Sequence, residues 1–257
     1  MPKNKKAQKT KNFSANSKNS SSEKEKNIIP RIKTGVEGFD ELVEGGIPQN
    51  SFILLSGGTG TGKSIFGMNF LAHGAQNQEP GLYISLEEGF DANQSQMTLF
   101  GWDMKEMEKN KTLSILQPKM YNFDKLLEAI LNSIYSLKAK RVVIDSISLL
   151  ELYFEDKFKT RRSILDLAKS LKDSGVTTIA ISEIDEQNGG LSREGVEEFV
   201  ADGVIILYLD KKENLLNRAI SVRKMRATDH SLKIHPVKIK RPGGMVIYPY
   251  EETFNEF

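Results

Sequence analysis

One run of eight residues, Gly57–Ser64, constrains the fold of this chain more than any other feature of its sequence. The run matches G-x-x-x-x-G-K-[ST], a pattern in which successive backbone N–H groups wrap around phosphate oxygens. An apolar segment, Phe52–Ser56, comes before it, and the segment Lys63–Gln76, which has helical patterning, follows. The sequence therefore predicts a strand–loop–helix unit whose loop binds the phosphates of a nucleotide.

Each position in this loop has an expected role. Glycines let the backbone turn tightly, and the helix that follows adds the partial positive charge of its N-terminus. Lys63 is expected to bridge the β- and γ-phosphates, and the hydroxyl of Ser64 to bind Mg²⁺. The residues predicted to contact the nucleotide here are Gly57, Gly58, Thr59, Gly60, Thr61, Gly62, Lys63 and Ser64.

Short apolar runs alternate with helical stretches along the rest of the chain. Predicted strands are Phe52–Ser56, Leu82–Leu86, Leu113–Leu116, Arg141–Asp145, Thr177–Ser182 and Val204–Leu209. Predicted helices are Lys63–Gln76, Ala92–Phe100, Phe123–Leu137 and Thr160–Asp173. This alternation predicts an α/β fold with a mostly parallel sheet and helices on both of its faces. The closely spaced segments Arg218–Lys224, Leu232–Ile239 and Met245–Tyr248 predict an antiparallel extension at the C-terminal end.

Charge divides the chain into two parts. Of the net charge of +2, residues 1–28 contribute +6 through eight lysines and two glutamates, which leaves −4 for the remainder. Residues 1–27 have almost nothing to bury and are predicted to be a disordered basic tail. The tail is either a solubilising segment or a basic arm for nucleic acid. Residues 28–257 are predicted to form one domain.

Several classes of protein are disfavoured by composition. The chain has no cysteine and only three scattered histidines, which argues against disulfides and zinc sites. No apolar run approaches the roughly 20 residues of a membrane-spanning helix, and no apolar stretch follows the basic start as in a secretion signal. We expect a cytoplasmic protein without a membrane partner.

Carboxylates follow two of the predicted strands. Asp145 ends an apolar strand that we expect to lie beside the phosphate-loop strand, where it would orient a water of the Mg²⁺ shell. It could instead cap the next turn. Glu87 and Glu88 follow another strand and could polarise the attacking water, or they could be a solvated pair that opens a loop.

Many separate motifs, in order, resemble the KaiC family of RecA-like ATPases. Besides the phosphate loop they are Thr34–Asp40, Gly45–Pro48, Glu79–Gly81, Leu86–Glu88, Phe100–Asp103, Arg141–Ser146, Gly195–Phe199, Arg223–His230 and Ile247–Pro249. The resemblance implies a RecA-like core and a ring, a hexamer, with ATP and Mg²⁺ at the subunit interfaces.

The resemblance also assigns site residues. It makes Glu87 and Glu88 the pair that activates water, and Lys224 and Arg226 the cations that reach a neighbour's γ-phosphate. The nucleotide contacts that it adds on the same hairpin are Lys224, Met225, Arg226, Thr228 and His230. Because Lys224 and Arg226 are two apart on a predicted strand, both should point to one face. Taken alone, these residues could also form a basic edge strand that deters aggregation.

Some positions depart from the clock protein KaiC. Glu197 and Glu198 stand where its autokinase half has Ser and Thr acceptors, so self-phosphorylation there is disfavoured. Gly89-Phe90 and Lys240-Arg241 replace residues on its nucleotide side, which leaves the base selectivity open. With one RecA-like unit, the chain is not expected to be a clock.

Three functions are compatible with these residues. The first is an ATPase that works as a slow, ring-forming switch. The second is a recombinase-like ATPase that binds single-stranded DNA, although the loop candidate Ile184–Glu194 has no aromatic residue on which bases could stack. The third is a nucleotide-binding scaffold that hardly hydrolyses ATP. Retention of Glu87, Glu88, Lys224 and Arg226 argues against the third.

Overall fold

A computed structural model describes residues 1, 29–86, 97–118, 122–153, 156–184, 197–212 and 215–251. Its strands are β1 (Arg31–Ile32), β2 (Ile47–Pro48), β3 (Phe52–Gly57), β4 (Gly81–Ser85), β5 (Leu113–Leu116), β6 (Arg141–Asp145), β7 (Thr177–Glu183), β8 (Gly203–Lys212), β9 (Leu215–Met225), β10 (Ile234–Lys240) and β11 (Gly244–Ile247). Its α-helices are α1 (Lys63–Gln76), α2 (Met104–Lys109), α3 (Phe123–Leu137), α4 (Lys157–Asp173) and α5 (Glu197–Val200). Short 3₁₀ helices cover Asp40–Val43, Thr98–Phe100 and Ile147–Tyr153.

In this described part of the chain, nine strands form one sheet in the order β11-β10-β9-β8-β3-β7-β6-β4-β5. Strands β8, β3, β7, β6, β4 and β5 run parallel, whereas β9, β10 and β11 are added to them antiparallel. This arrangement confirms the predicted α/β fold and its C-terminal antiparallel extension. Strands β1 and β2 pair separately.

The phosphate-loop strand shows how the sheet is covered on both faces. Side chains alternate along a strand, so Ile53 and Leu55 lie in one apolar cluster and Phe52 and Leu54 in the other. Helix α1 packs in the first cluster, and helices α3 and α4 pack in the second. A strand buried on both faces is apolar along most of its length, as Phe52–Leu55 are, and this made the segment conspicuous in the sequence.

One predicted neighbour relation is wrong. We expected β6, which ends at Asp145, to lie beside β3, but β7 lies between them. The reason is that α1 runs across the sheet from β3 towards β4, and β7, which comes later in the chain, fills the gap. An ideal Cβ on Gly67 of α1 would approach the Val143 side chain of β6 to 2.9 Å, so the helix lies directly over that strand.

The remaining element predictions differ mainly at their ends. Strand β9 begins at Leu215 rather than Arg218, and β10 begins at Ile234 rather than Leu232. Most of the predicted helix Ala92–Phe100 falls outside the described residues, and its end is a 3₁₀ turn. Helix α2 was not predicted because it is short; it begins where the Asp103 side chain accepts a hydrogen bond from the Glu106 N–H at 3.0 Å.

A buried arginine connects four parts of the chain around α1. Arg141, 1% exposed, donates from Nε to the Glu79 carboxylate at 2.9 Å and from one terminal nitrogen to the Lys33 and Phe70 carbonyls, each at 2.8 Å. Its guanidinium also lies 4.5 Å from the centre of the Phe70 ring. All three guanidinium nitrogens therefore donate hydrogen bonds within the fold, and one face packs on an aromatic ring.

Replacing this arginine should destabilise the protein strongly. Arg141→Met leaves Glu79 and two backbone carbonyls without their donor, so we expect the free energy of unfolding to fall by about 3–5 kcal/mol in urea titrations. Arg162→Met is the matched control, because Arg162 is 77% exposed and approaches Asp166 only to 4.0 Å. Its cost should stay below about 1 kcal/mol. Equal losses in the two variants would contradict the assigned role.

Candidate functional site

The loop between β3 and α1 has a backbone that needs glycine. Gly60 and Gly62 have φ angles of 78° and 106°, and Gly62 stands at the N-terminal end of α1. An ideal Cβ on Gly62 would lie 2.9 Å from the terminal methyl group of Met245 in β11. The antiparallel extension thus packs directly against the loop, and a side chain at position 62 would be strained by the positive φ and would have to displace the Met245 methyl group.

Lys63 lies folded over this loop. Its ammonium group donates to the Gly57 and Gly58 carbonyls at 2.8 and 2.9 Å, while the Thr61 hydroxyl donates to the Gly58 carbonyl at 2.9 Å. The loop therefore closes on itself around the cation. Phosphate oxygens would replace these neutral carbonyls as acceptors, because an anionic oxygen attracts the ammonium group more strongly than a neutral one.

Ser64, in the first turn of α1, meets Asp145 at the end of β6, although β3, which leads into the loop, and β6 are not neighbours. The Ser64 hydroxyl donates to Oδ2 of Asp145 at 2.7 Å, and the Tyr83 hydroxyl donates to the same oxygen at 2.5 Å. Two donors hold this carboxylate at the carboxyl edge of the sheet. Sequence reasoning did not identify Tyr83, which lies between the apolar residues Leu82 and Ile84 of β4.

This donor set fits Mg²⁺ in a nucleotide complex. One hydroxyl and one carboxylate are available, and among the described residues no group of three or more His, Asp or Glu side chains could hold a metal ion. Mg²⁺ commonly binds through one or two carboxylates together with substrate phosphates and water. The ion would therefore depend on the nucleotide for most of its ligands.

A cavity of about 680 Å³ opens beside the loop. Its lining residues are Gly60, Gly62, Lys63, Ser64, Ile65, Met97, Phe100, Arg218, Ile239 and Arg241. Arg218 of β9 donates to the Gly60 carbonyl at 3.0 and 3.1 Å, a contact that the sequence did not predict. The Arg241 guanidinium lies 5.1 Å from the centre of the Phe100 ring. The cavity thus combines cations with a flat apolar wall.

Lys224, Met225 and Arg226 lie far from this loop within the same chain. Lys224 pairs with Val204 near the start of β8, whereas Gly57 pairs with Leu207 further along that strand. Strand β9 also ends at Met225, so Arg226 lies in the following turn and not on the strand as expected. A register shift in the β8–β9 ladder between Val204 and Ile205 precedes this turn.

Both cations nevertheless approach one segment, residues 198–202. The Lys224 ammonium donates to the Ala201 carbonyl at 2.6 Å and to the Glu198 carbonyl at 3.3 Å. Arg226 donates to Asp202 at 3.0 Å. Burial, together with the positive charge of Arg226, lowers the pKa of Lys224.

The other residues assigned to this hairpin make local contacts. Thr228 accepts from Arg31 at 2.9 Å and donates to the Arg226 carbonyl at 3.2 Å, and His230 Nδ1 lies 3.0 Å from the Ser231 carbonyl. Met225 is buried. Glu87, Glu88, Gly89-Phe90 and most of Ile184–Glu194 lie outside the described residues.

The fold and loop together define a RecA-like protein of the P-loop class, with a parallel core and an antiparallel extension. A sequence model described as the KaiC ATPase matches residues 32–252, and the chain belongs to that family. This confirms the resemblance drawn from the motifs.

Relatives support the same assignment. A UPF0273 protein of Pyrococcus furiosus is 38% identical over 239 residues, which cover 86% of this chain and 95% of the relative. The circadian clock oscillator protein KaiC of Parathermosynechococcus lividus is 36% identical over 84% of this chain, but the match spans only 42% of that protein. The crystal structure of the KaiC-like protein PH0186 from Pyrococcus horikoshii is 43% identical, with a TM-score of 0.79, and covers 86% of this chain and 100% of its own.

Among the described helices, none combines the length and the apolar character needed to cross a membrane.

Proposed function

We propose that this protein binds ATP with Mg²⁺, hydrolyses it slowly, and works as a ring-forming switch whose assembly depends on the bound nucleotide. The observation that carries the proposal is the 2.7 Å hydrogen bond between Ser64 and Asp145, directly beside a phosphate loop that encloses the Lys63 ammonium. A turn with no ligand to bind would not need a carboxylate, a hydroxyl and an ammonium group at one point.

The loop residues have distinct roles in this proposal. Lys63 leaves the Gly57 and Gly58 carbonyls and binds the β- and γ-phosphates, and Ser64 and Asp145 hold the metal and a water of its shell. Mg²⁺, when bound, neutralises negative charge that builds up on the phosphates. From the family resemblance we assign Glu87 and Glu88 to orient the attacking water. ATP and Mg²⁺ are both available in the cytoplasm, and we propose that the protein is located there.

The position of Lys224 and Arg226 supports the proposed ring. Since these cations lie at the other end of β9 from their own loop, they can act on a γ-phosphate only if it belongs to a neighbouring copy. A second cavity, of about 510 Å³, lies beside Lys224. Phe199 and Leu232 on its rim are 63% and 88% exposed, which suits burial against another protomer. The family resemblance suggests six protomers.

Light scattering after size exclusion, combined with a phosphate-release assay on the same sample, tests this proposal. With ATP and Mg²⁺ we expect phosphate release and a mass that is a multiple of 28.9 kDa, with the assembly loosening as ATP is consumed. Asp145→Asn should raise the Mg²⁺ concentration needed for half-maximal release by about 10- to 100-fold. The matched control is Asp166→Asn, at an exposed position of α4.

Two results would reject parts of the proposal. If the protein binds ATP but releases no phosphate, and Glu87→Gln and Glu88→Gln behave like the wild type, the protein is a nucleotide-binding scaffold. If its mass is that of one chain with and without ATP, the ring is wrong. The family assignment does not favour the single-stranded DNA-binding alternative.

A further inference from the structure

Asp202 lies between the two proposed trans-acting cations and the strand that leads into the phosphate loop. The residue is 8% exposed. Its carboxylate accepts from Arg226 at 3.0 Å, from Lys172 of α4 at 2.7 and 2.9 Å, and from the backbone N–H of Phe52 at 3.0 Å. Burial alone would raise the pKa of Asp202, but the hydrogen bonds from Lys172 and Phe52 outweigh it, so the pKa is lowered. The carboxylate is therefore charged at neutral pH.

Asp202 holds Arg226 at two points. The backbone N–H of Arg226 donates to the Asp202 carbonyl at 2.9 Å, and the guanidinium donates to the carboxylate of the same residue. The Arg226 side chain is otherwise 60% exposed and follows the end of a strand. A long side chain on a turn loses much rotamer entropy when it is ordered. Because Asp202 already orders the Arg226 side chain, less rotamer entropy is lost when Arg226 binds a phosphate.

Lys172 is a second cation bound to the Asp202 carboxylate. If Arg226 moves towards a phosphate, the buried carboxylate keeps its contact with Lys172 and does not become an unpaired charge. Asp202 can thus direct Arg226 without trapping it. Asp202 itself is fixed, because the Asp202 N–H donates to the Phe52 carbonyl at 2.8 Å while the Phe52 N–H donates back to the carboxylate.

We propose that Asp202 is a positioning residue that orients Arg226 towards the γ-phosphate bound by a neighbouring protomer, with Lys172 as the cation that stays paired with the Asp202 carboxylate when Arg226 moves. This inference rests on the proposed function of Arg226. It assigns Asp202 no contact with the nucleotide.

The test measures kcat and KM for ATP in the full-length protein, together with assembled mass and thermal unfolding. Asp202→Asn keeps the shape of the side chain and an acceptor for Phe52, but removes the charge that holds Arg226. We expect kcat to fall about 10- to 100-fold, with KM changed by no more than about twofold. Lys169→Met, the control, removes an exposed lysine of the same helix as Lys172 and should keep kcat within about twofold of the wild type.

A double-mutant cycle with Arg226→Ala decides the mechanism. If Asp202 acts through Arg226, Asp202→Asn has no further effect on kcat once Arg226 is alanine. An undiminished effect in that background would overturn the inference, as would a Lys169→Met variant that loses as much kcat as Asp202→Asn.

Two further outcomes separate this inference from the proposed function. If Arg226→Ala leaves kcat unchanged in a protein that still hydrolyses ATP, the trans role of Arg226 fails. If Arg226→Ala lowers kcat but Asp202→Asn does not, only the positioning role fails. Should Asp202→Asn not fold, Asp202→Glu, which shifts the charge by one methylene, is run through the same cycle and judged by the same outcomes.

Discussion

Replacing Lys63 with alanine should lower the rate of ATP hydrolysis by about a hundred- to a thousandfold. The ammonium group is enclosed by the loop carbonyls at 2.8 and 2.9 Å, where a phosphate oxygen would be a stronger partner. The substitution leaves the backbone amides of the loop in place but removes the positive charge of Lys63 that the loop encloses. ATP affinity, measured by calorimetry with and without Mg²⁺, should fall together with turnover.

Lys169→Ala provides the control for this experiment. Lys169 is an exposed lysine of α4, so the variant loses the same positive charge without touching the loop. Its affinity and turnover should match those of the wild type. An unchanged ATP affinity in Lys63→Ala would remove the basis of the proposed function.

Replacing Arg226 with alanine should lower kcat by about 10³- to 10⁵-fold, the range known for arginines that neutralise a transferring phosphoryl group. ATP binding should persist, because in one chain this residue lies at the opposite end of β9 from the Gly60 contact of Arg218. Rapid-quench measurements of a single turnover would separate the loss in chemistry from any loss in binding.

Mixing two inactive variants tests whether the arginine acts across an interface. Lys63→Ala protomers retain Arg226, and Arg226→Ala protomers retain Lys63, so random rings should contain complete sites at about a quarter of their interfaces. We expect about that fraction of wild-type turnover from an equimolar mixture. No recovery in rings shown to have mixed would contradict action in trans.

Patterns of local sequence predicted the phosphate loop and most elements of the sheet. Phe52–Gly57 is apolar because both of its faces are buried, and the loop that follows has glycine where positive φ angles occur. Such requirements act on neighbouring residues, so they are visible in a short stretch of chain. The same holds for Asp145, whose place at the end of an apolar strand predicted its position at the site edge.

Contacts between distant segments were not predictable in this way. The insertion of β7 between β3 and β6 depends on how the whole sheet is ordered. Tyr83 and Arg218 reach the site from strands whose sequences show no sign of it. Asp202 is a single acidic residue before β8, and its three partners, Phe52, Lys172 and Arg226, come from distant parts of the chain.

In the proposed ring, strand β9 would set the spacing between two nucleotides. Arg218 touches the protomer's own loop near one end, and Lys224 lies near the other, about 20 Å further along. Strand β9 is hydrogen-bonded to β8 along its length and to β10 from Arg218 to Ser221, which makes it rigid. In a ring, β9 of each protomer would connect that protomer's own nucleotide site with the site of its neighbour. A tilt of β9 caused by hydrolysis at one site would therefore displace Lys224 and Arg226 at the next site.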